Sequence, residues 1–98
     1  MGFFDFLKPK KKESLYSGGD GSSKETAVVI NATNSIVGVA AEYKFIEKQC
    51  GREDTDWERD LQMVLRSDNK SYDLIVVKLK NGGEKSFFFD ITKFYGKF

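Results

Sequence analysis

Residues 53–60, Glu-Asp-Thr-Asp-Trp-Glu-Arg-Asp, crowd carboxylates around the chain's one tryptophan. Two carboxyl groups held at the right separation can act as acid and base in glycoside hydrolysis, and a looser cluster can bind a cation or a basic partner. A deep cleft is hard to build in a domain this small. The stretch therefore reads as a solvated loop, with Trp57 packing over the end of a helix and available as a contact residue. Ser17-Gly18-Gly19-Asp20-Gly21-Ser22-Ser23 looks like a phosphate cradle. Such a loop needs a strand before it and a helix after it, and a lysine followed by Ser or Thr at its end. A calcium loop needs more spaced oxygen ligands and a closing glutamate. Neither pattern is met, so the stretch reads as a hinge into the domain. Cys50 is the single cysteine. It falls at the expected C-terminus of a helix, where the dipole disfavours a thiolate, and reads as a buried structural residue. Histidine is absent, which removes the usual base near neutral pH and the commonest metal ligand. No catalytic, metal-binding or cofactor-binding residue is assigned.

The chain has 98 residues and a net charge of +1. From residue 26 onward the two signs balance, which argues against specific nucleic-acid binding. One cysteine permits no internal disulfide and fits a reducing compartment, so a cytoplasmic location is expected. No apolar run approaches the ~20 residues that cross a bilayer. The first residues combine an apolar plug, Phe3, Phe4, Phe6 and Leu7, with Lys8 and the basic run Lys10, Lys11 and Lys12. Such a segment could touch an anionic membrane surface weakly, as a tether.

Residues 1–25 read as a flexible tail and linker, rich in Lys, Ser and Gly around the single proline. Residues 26–98 read as one α+β domain. Thr26–Ile30 is a β-branched run and makes a first strand. Asn34 or Ser35 caps a helix that runs to Cys50 and stops at Gly51. Its apolar stripe is Ile36, Val39, Ala40, Tyr43, Ile46 and Cys50, with Glu42, Lys44, Lys48 and Gln49 off it. Three strands follow, the last pair joined at Asn81-Gly82-Gly83, residues that tolerate positive φ. The order is β-α-β-β-β, one helix packed on an antiparallel sheet, with a cystatin-like arrangement as the nearest analogy.

Register decides which surface stays free. Three-residue hairpin loops put Leu61, Met63 and Leu65 on one face with Ile75, Val77 and Leu79, and with Phe87, Phe89 and Ile91. That face is the expected core. The far face then carries Val64, Tyr72, Leu74, Val76 and Phe88, a candidate interaction surface unless Phe94, Tyr95 and Phe98 fold under and cover it.

Gly18-Gly19-Asp20-Gly21-Ser22-Ser23, then Ala40-Ala41-Glu42-Tyr43, then Phe89-Asp90-Ile91-Thr92 and Phe94-Tyr95-Gly96-Lys97 together resemble a family of small uncharacterised bacterial proteins. The resemblance implies a bacterial, intracellular, non-enzymatic domain and carries over no catalytic residue. The expected function is binding of another macromolecule, above all a protein, or self-association. The alternatives are a membrane-tethered accessory protein using residues 1–12 and a small hydrolase using the acidic loop 53–60.

Overall fold

The structure, a computed structural model, describes residues 14–97. The expected β-α-β-β-β succession is present as β2 (Val28–Ile30), α1 (Ser35–Cys50), β3 (Trp57–Ser67), β4 (Lys70–Leu79) and β5 (Glu84–Asp90), an α+β fold. A further strand, β1 (Tyr16–Gly18), lies inside the span expected to be linker and pairs antiparallel with β2. Three residues are too few for a periodic signal, and the strand forms because β2 offers an edge. The sheet order is β1-β2-β5-β4-β3. β2 runs parallel to β5, so the sheet is mixed, not antiparallel as expected, and departs from the cystatin-like analogy. The residues proposed as a tether, Phe3, Phe4, Phe6, Leu7, Lys10, Lys11 and Lys12, lie outside the described residues, as does Phe98.

The helix ends where the sequence marks them. The Asn34 side chain accepts a hydrogen bond from the Val37 N–H at 2.9 Å, and Gly51, at φ 102°, donates its N–H to the Glu47 carbonyl. Of the expected stripe, Ile46 is buried and Tyr43 and Cys50 pack at the edge of the core, but Ile36, Val39 and Ala40 are exposed. Gly38, Ala41, Glu42 and Ile46 point into the sheet, while Ile36 is 81% exposed and Val39 is 42% exposed. The helix is turned by about one residue, roughly 100°. Two contacts hold that rotation. Phe45 meets the rings of Phe87 and Phe89 edge-on, at 6.2 and 5.8 Å between centroids. Gly38 lies against the Phe94 ring so closely that a Cβ there would come within 2.5 Å of it. Phe94 therefore packs on the helix side of the sheet, and Ser35 N–H bonds the Lys97 carbonyl at 2.8 Å.

The register corrects the expected core in β3 alone. Asp68 and Asn69 both take positive φ, 51° and 65°, so the β3–β4 turn has two residues and Ser67 pairs with Lys70. That one-residue difference from the expected loop turns Leu61, Met63 and Leu65 to the far side. They pair there with Val76, Leu74 and Tyr72. Val64 goes the other way, onto the helix side opposite Asp73, and is 45% exposed beyond the reach of the helix. A bulge between Arg59 and Leu61 adds one residue, Asp60, and restores Trp57 and Arg59 to the helix side. Ile75, Val77, Phe87, Phe89 and Ile91 are buried there as the alternation required.

Candidate functional site

The far side of the sheet is built in cross-strand rows. Glu58, Lys78 and Glu84 form a charged first row. Leu61, Val76 and Ser86 form the second, Met63, Leu74 and Phe88 the third, and Leu65, Tyr72 and Asp90 the fourth. Opposed residues in an antiparallel pair share a face, so the apolar side chains of the middle rows are neighbours. Leu61 is 45% and Met63 44% exposed, while Tyr72, Leu74, Val76 and Phe88 are half-buried. Among the described residues the helix lies on the opposite side, and so does Phe94. Of the residues singled out from the sequence, Tyr72, Leu74, Val76 and Phe88 come together here. Val64 does not, because of the two-residue turn. Trp57 does not either: it is 3% exposed on the helix side, and its indole N–H donates to the Gly51 carbonyl at 2.7 Å. Leu61, Met63 and Leu65 join the face in their place. The signal that could have found them is Asp68-Asn69, two adjacent residues that tolerate the left-handed region and so specify a two-residue turn.

One end of this face is bordered by the glycine-rich stretch. Residues 19–27 continue the β1–β2 hairpin, with Gly19 N–H bonded to the Ala27 carbonyl and Gly21 N–H to the Thr26 carbonyl. The Gly21 carbonyl accepts the Phe88 N–H at 2.8 Å, which extends the pairing of β5. Gly21 sits at φ 86°, a backbone conformation that disfavours other residues. Asp20 Oδ1 accepts the Ser22 N–H and hydroxyl, and these bonds hold the Asp20 carboxyl below its ordinary value. The hinge expected here is thus a hydrogen-bonded hairpin connection. Lys24 reaches from it to within 3.5 Å of the Ser67 hydroxyl, and Lys24, Val29, Lys70, Tyr72 and Asp90 share a shallow depression of about 350 Å³.

The acidic stretch does not converge. Asp56 Oδ2 accepts the Arg52 N–H at 2.7 Å and closes the turn after the helix, while Asp54 takes φ 67°. Glu58 faces Lys78 across the strands. Asp54, Asp56 and Glu58 rim a depression of about 320 Å³ together with Lys78 and Lys80, so the local charge is mixed. Among the described residues no three His, Cys, Asp or Glu side chains gather as a metal site. Cys50 is half-buried, and burial pushes its thiol up, opposed only by Lys85.

A different pair of carboxyls meets under the helix. Glu42 is fully buried and Asp73 is 3% exposed. Asp73 Oδ2 accepts from Gln62 at 2.9 Å, and Arg59 donates to both Gln62 and the Tyr43 hydroxyl at 2.9 Å. As carboxylates, Glu42 Oε1 and Oε2 and Asp73 Oδ1 have no hydrogen-bond partner. A proton on Glu42 turns that carboxyl into a donor toward Asp73. Burial, then the hydrogen bond and charge of Asp73, push Glu42 up to about 10. Sequence reading put Glu42 on the solvent side, and no local pattern marks it, since its burial follows from the helix rotation.

The chain matches no protein-family profile, no curated protein and no solved structure. Its functional reading rests on its own geometry.

Proposed function

We propose that this chain is a non-enzymatic domain that binds another macromolecule, above all a protein, through the open face of its sheet. The observation that carries the reading is the apolar block at the centre of that face, Met63, Leu74 and Phe88 flanked by Leu61, Val76, Leu65 and Tyr72, on the side opposite the helix. A contiguous apolar patch on a small domain marks an interaction surface, because leaving it in water forgoes about 25 cal/mol per Å² that a partner would recover. Charged rows border the patch, as an interface rim does. The bacterial cytoplasm is the setting of this reading, in keeping with the Gly-Gly-Asp-Gly-Ser-Ser and Phe-Asp-Ile-Thr patterns and the single free cysteine.

The experiment is capture by the full chain, immobilised, from an extract of its own cell, compared with Met63→Lys and Leu74→Lys. The expected result is a protein retained by the unaltered chain and lost from both variants, each keeping its far-ultraviolet circular dichroism. Equal retention by all three would put the binding surface elsewhere.

A further inference from the structure

On a different surface from the open face, we infer that the edge of β3 pairs with the same edge of a second copy of this chain, antiparallel and centred on Val64, so that two sheets join into one. The two edges of the sheet differ. β1 is three residues long, whereas β3, at the other edge, is eleven. At Trp57 the β3 edge is taken, because the Asp54 N–H bonds the Trp57 carbonyl at 2.7 Å. From Leu61, past the bulge, to Ser67, at the turn, no loop, cap or turn among the described residues bonds it. The neighbouring strand fixes which groups point outward. Ser71, opposite Arg66, turns its backbone to the other side: its carbonyl accepts from the Ile91 N–H at 2.9 Å, and its N–H donates to the Thr92 hydroxyl at 3.0 Å. The Arg66 N–H and carbonyl therefore point away from the sheet, and by alternation so do those of Val64 and Gln62. An unpaired row of this kind is a template for another strand.

The devices that blunt an edge are missing from residues 61–67, which hold no proline and, as their only charge, Arg66. Both long polar side chains are held over the protein instead of across the edge. The Arg66 guanidinium lies 5.7 Å from the centre of the Tyr95 ring, and Gln62 bonds Arg59 and Asp73. The stretch is also its own complement. With a two-fold axis at Val64, the outward groups of Gln62, Val64 and Arg66 meet those of Arg66, Val64 and Gln62 in the second copy, each pair exchanging two backbone bonds. On the helix side Val64, 45% exposed, meets Val64. On the open side Leu65 meets Met63, which continues the apolar face across the join. No like charges face each other inside the pairing, and Asp60 and Asp68 come level at its two ends. A second copy supplies this match by symmetry, with no further demand on sequence. One strand edge buries less than the ~800 Å² per partner of a standard interface, so the dimer is weak and reversible.

Sedimentation equilibrium and amide hydrogen exchange of the full chain, from roughly 10 μM to 1 mM, test the proposal. The expected result is a mass that rises toward twice the chain mass, together with a several-fold slowing of exchange at Gln62, Val64 and Arg66. Val64→Pro removes one outward donor and leaves the β3–β4 ladder its bonds, since proline is accepted on an edge whose N–H faces outward. It should stay monomeric. Val64→Ala keeps the donor and should still pair. Asp68→Asn keeps a residue that tolerates the positive φ of the turn and removes a like charge, so it should tighten the dimer a few-fold. A monomer at the highest concentration overturns the proposal. So does a dimer whose Gln62, Val64 and Arg66 amides exchange as fast as in dilute solution, or a Val64→Pro chain that dimerises as tightly as the unaltered one. If Val64→Pro does not fold, the three amides decide. The open-face reading is scored apart from this one: the protein it retains should be kept by Val64→Pro whether or not the edges pair.

Discussion

Each side of this sheet departs from the usual sorting of side chains at one place. The covered side has a pair of carboxyls near its centre, Glu42 and Asp73, linked through Gln62 to Arg59. The uncovered side has a centre of Met63, Leu74 and Phe88. Burying a carboxyl is costly unless it is neutralised or paired, whereas exposing a leucine is merely wasteful. The covered side tolerates its acids because a proton on Glu42 makes that carboxyl a donor toward Asp73, and Gln62 donates to Asp73 as well. The uncovered side keeps its apolar residues because, in the reading above, a partner uses them. Hydrophobicity alone does not say which face of a sheet a helix will choose. Here the choice follows from Phe45, which locks edge-on to Phe87 and Phe89, rings stacked 6.3 Å apart.

The sharpest way to separate the two sides is to truncate one residue on each. Phe89→Ala on the covered side should cost about 3–5 kcal/mol of unfolding free energy, read from denaturant curves, through lost contacts and a cavity. A loss under about 1 kcal/mol would mean that the helix does not pack there.

The carboxyl pair gives the next effect, and it is a dependence on pH. Glu42 is raised in the fold to about 10 from the ordinary 4.5, so the folded chain holds a proton that the unfolded chain releases. The stability that Glu42 contributes is therefore fully present below its ordinary value, declines as pH climbs through the window between 4.5 and 10, and is gone above it. The slope should be on the order of 1 kcal/mol per pH unit within that window, a total of about 2 kcal/mol between pH 5 and pH 7. Glu42→Gln keeps a donor toward Asp73 without a proton to lose. It should flatten the thermal midpoint against pH over this range, and an unchanged slope would assign the dependence to other groups.

How much of this was legible from the sequence can be told residue by residue. Asn34 and Gly51 bracket the helix as their chemistry requires, and the alternation of Ile75 and Val77 with that of Phe87 and Phe89 gave the core of the last two strands. Both features are local. Sequence misleads where one local choice propagates. A turn one residue longer than Asp68-Asn69 puts Leu61, Met63 and Leu65 in the core and Val64 outside it, the reverse of what the two-residue turn does. The helix has two competing stripes one residue apart, and only the sheet beneath, which is non-local, selects between them. β1 was hidden because its three residues form a strand only once β2 is in place.

Gly38 offers a smaller test of that selection. A methyl group at this position would press into the Phe94 ring, so Gly38→Ala should cost roughly 1–2 kcal/mol, although alanine is the better helix former. A stabilised variant would show that the helix can slide off Phe94. Smallest of all should be Met63→Ser on the uncovered side, within about 0.5 kcal/mol for the monomer in dilute solution, where a surface residue has little packing to lose. If Met63→Ser is as damaging as Phe89→Ala, the contrast between the two sides collapses.

The bulge at Asp60 sets a parity for the first residues of β3. With the extra residue in place, Trp57 lies on the helix side, where its indole closes over Gly51. Were Asp60 drawn into the ladder as a paired residue, the alternation would run through it, and Trp57 and Arg59 would exchange sides with Glu58. A single-codon deletion of Asp60 has the opposite character: Arg59 joins Leu61 directly, their partners Val77 and Val76 are neighbours already, and Trp57 keeps its side. The bulge is thus a place where the strand can lose a residue without turning any side chain over, while every other position in the paired part of β3 lacks that slack.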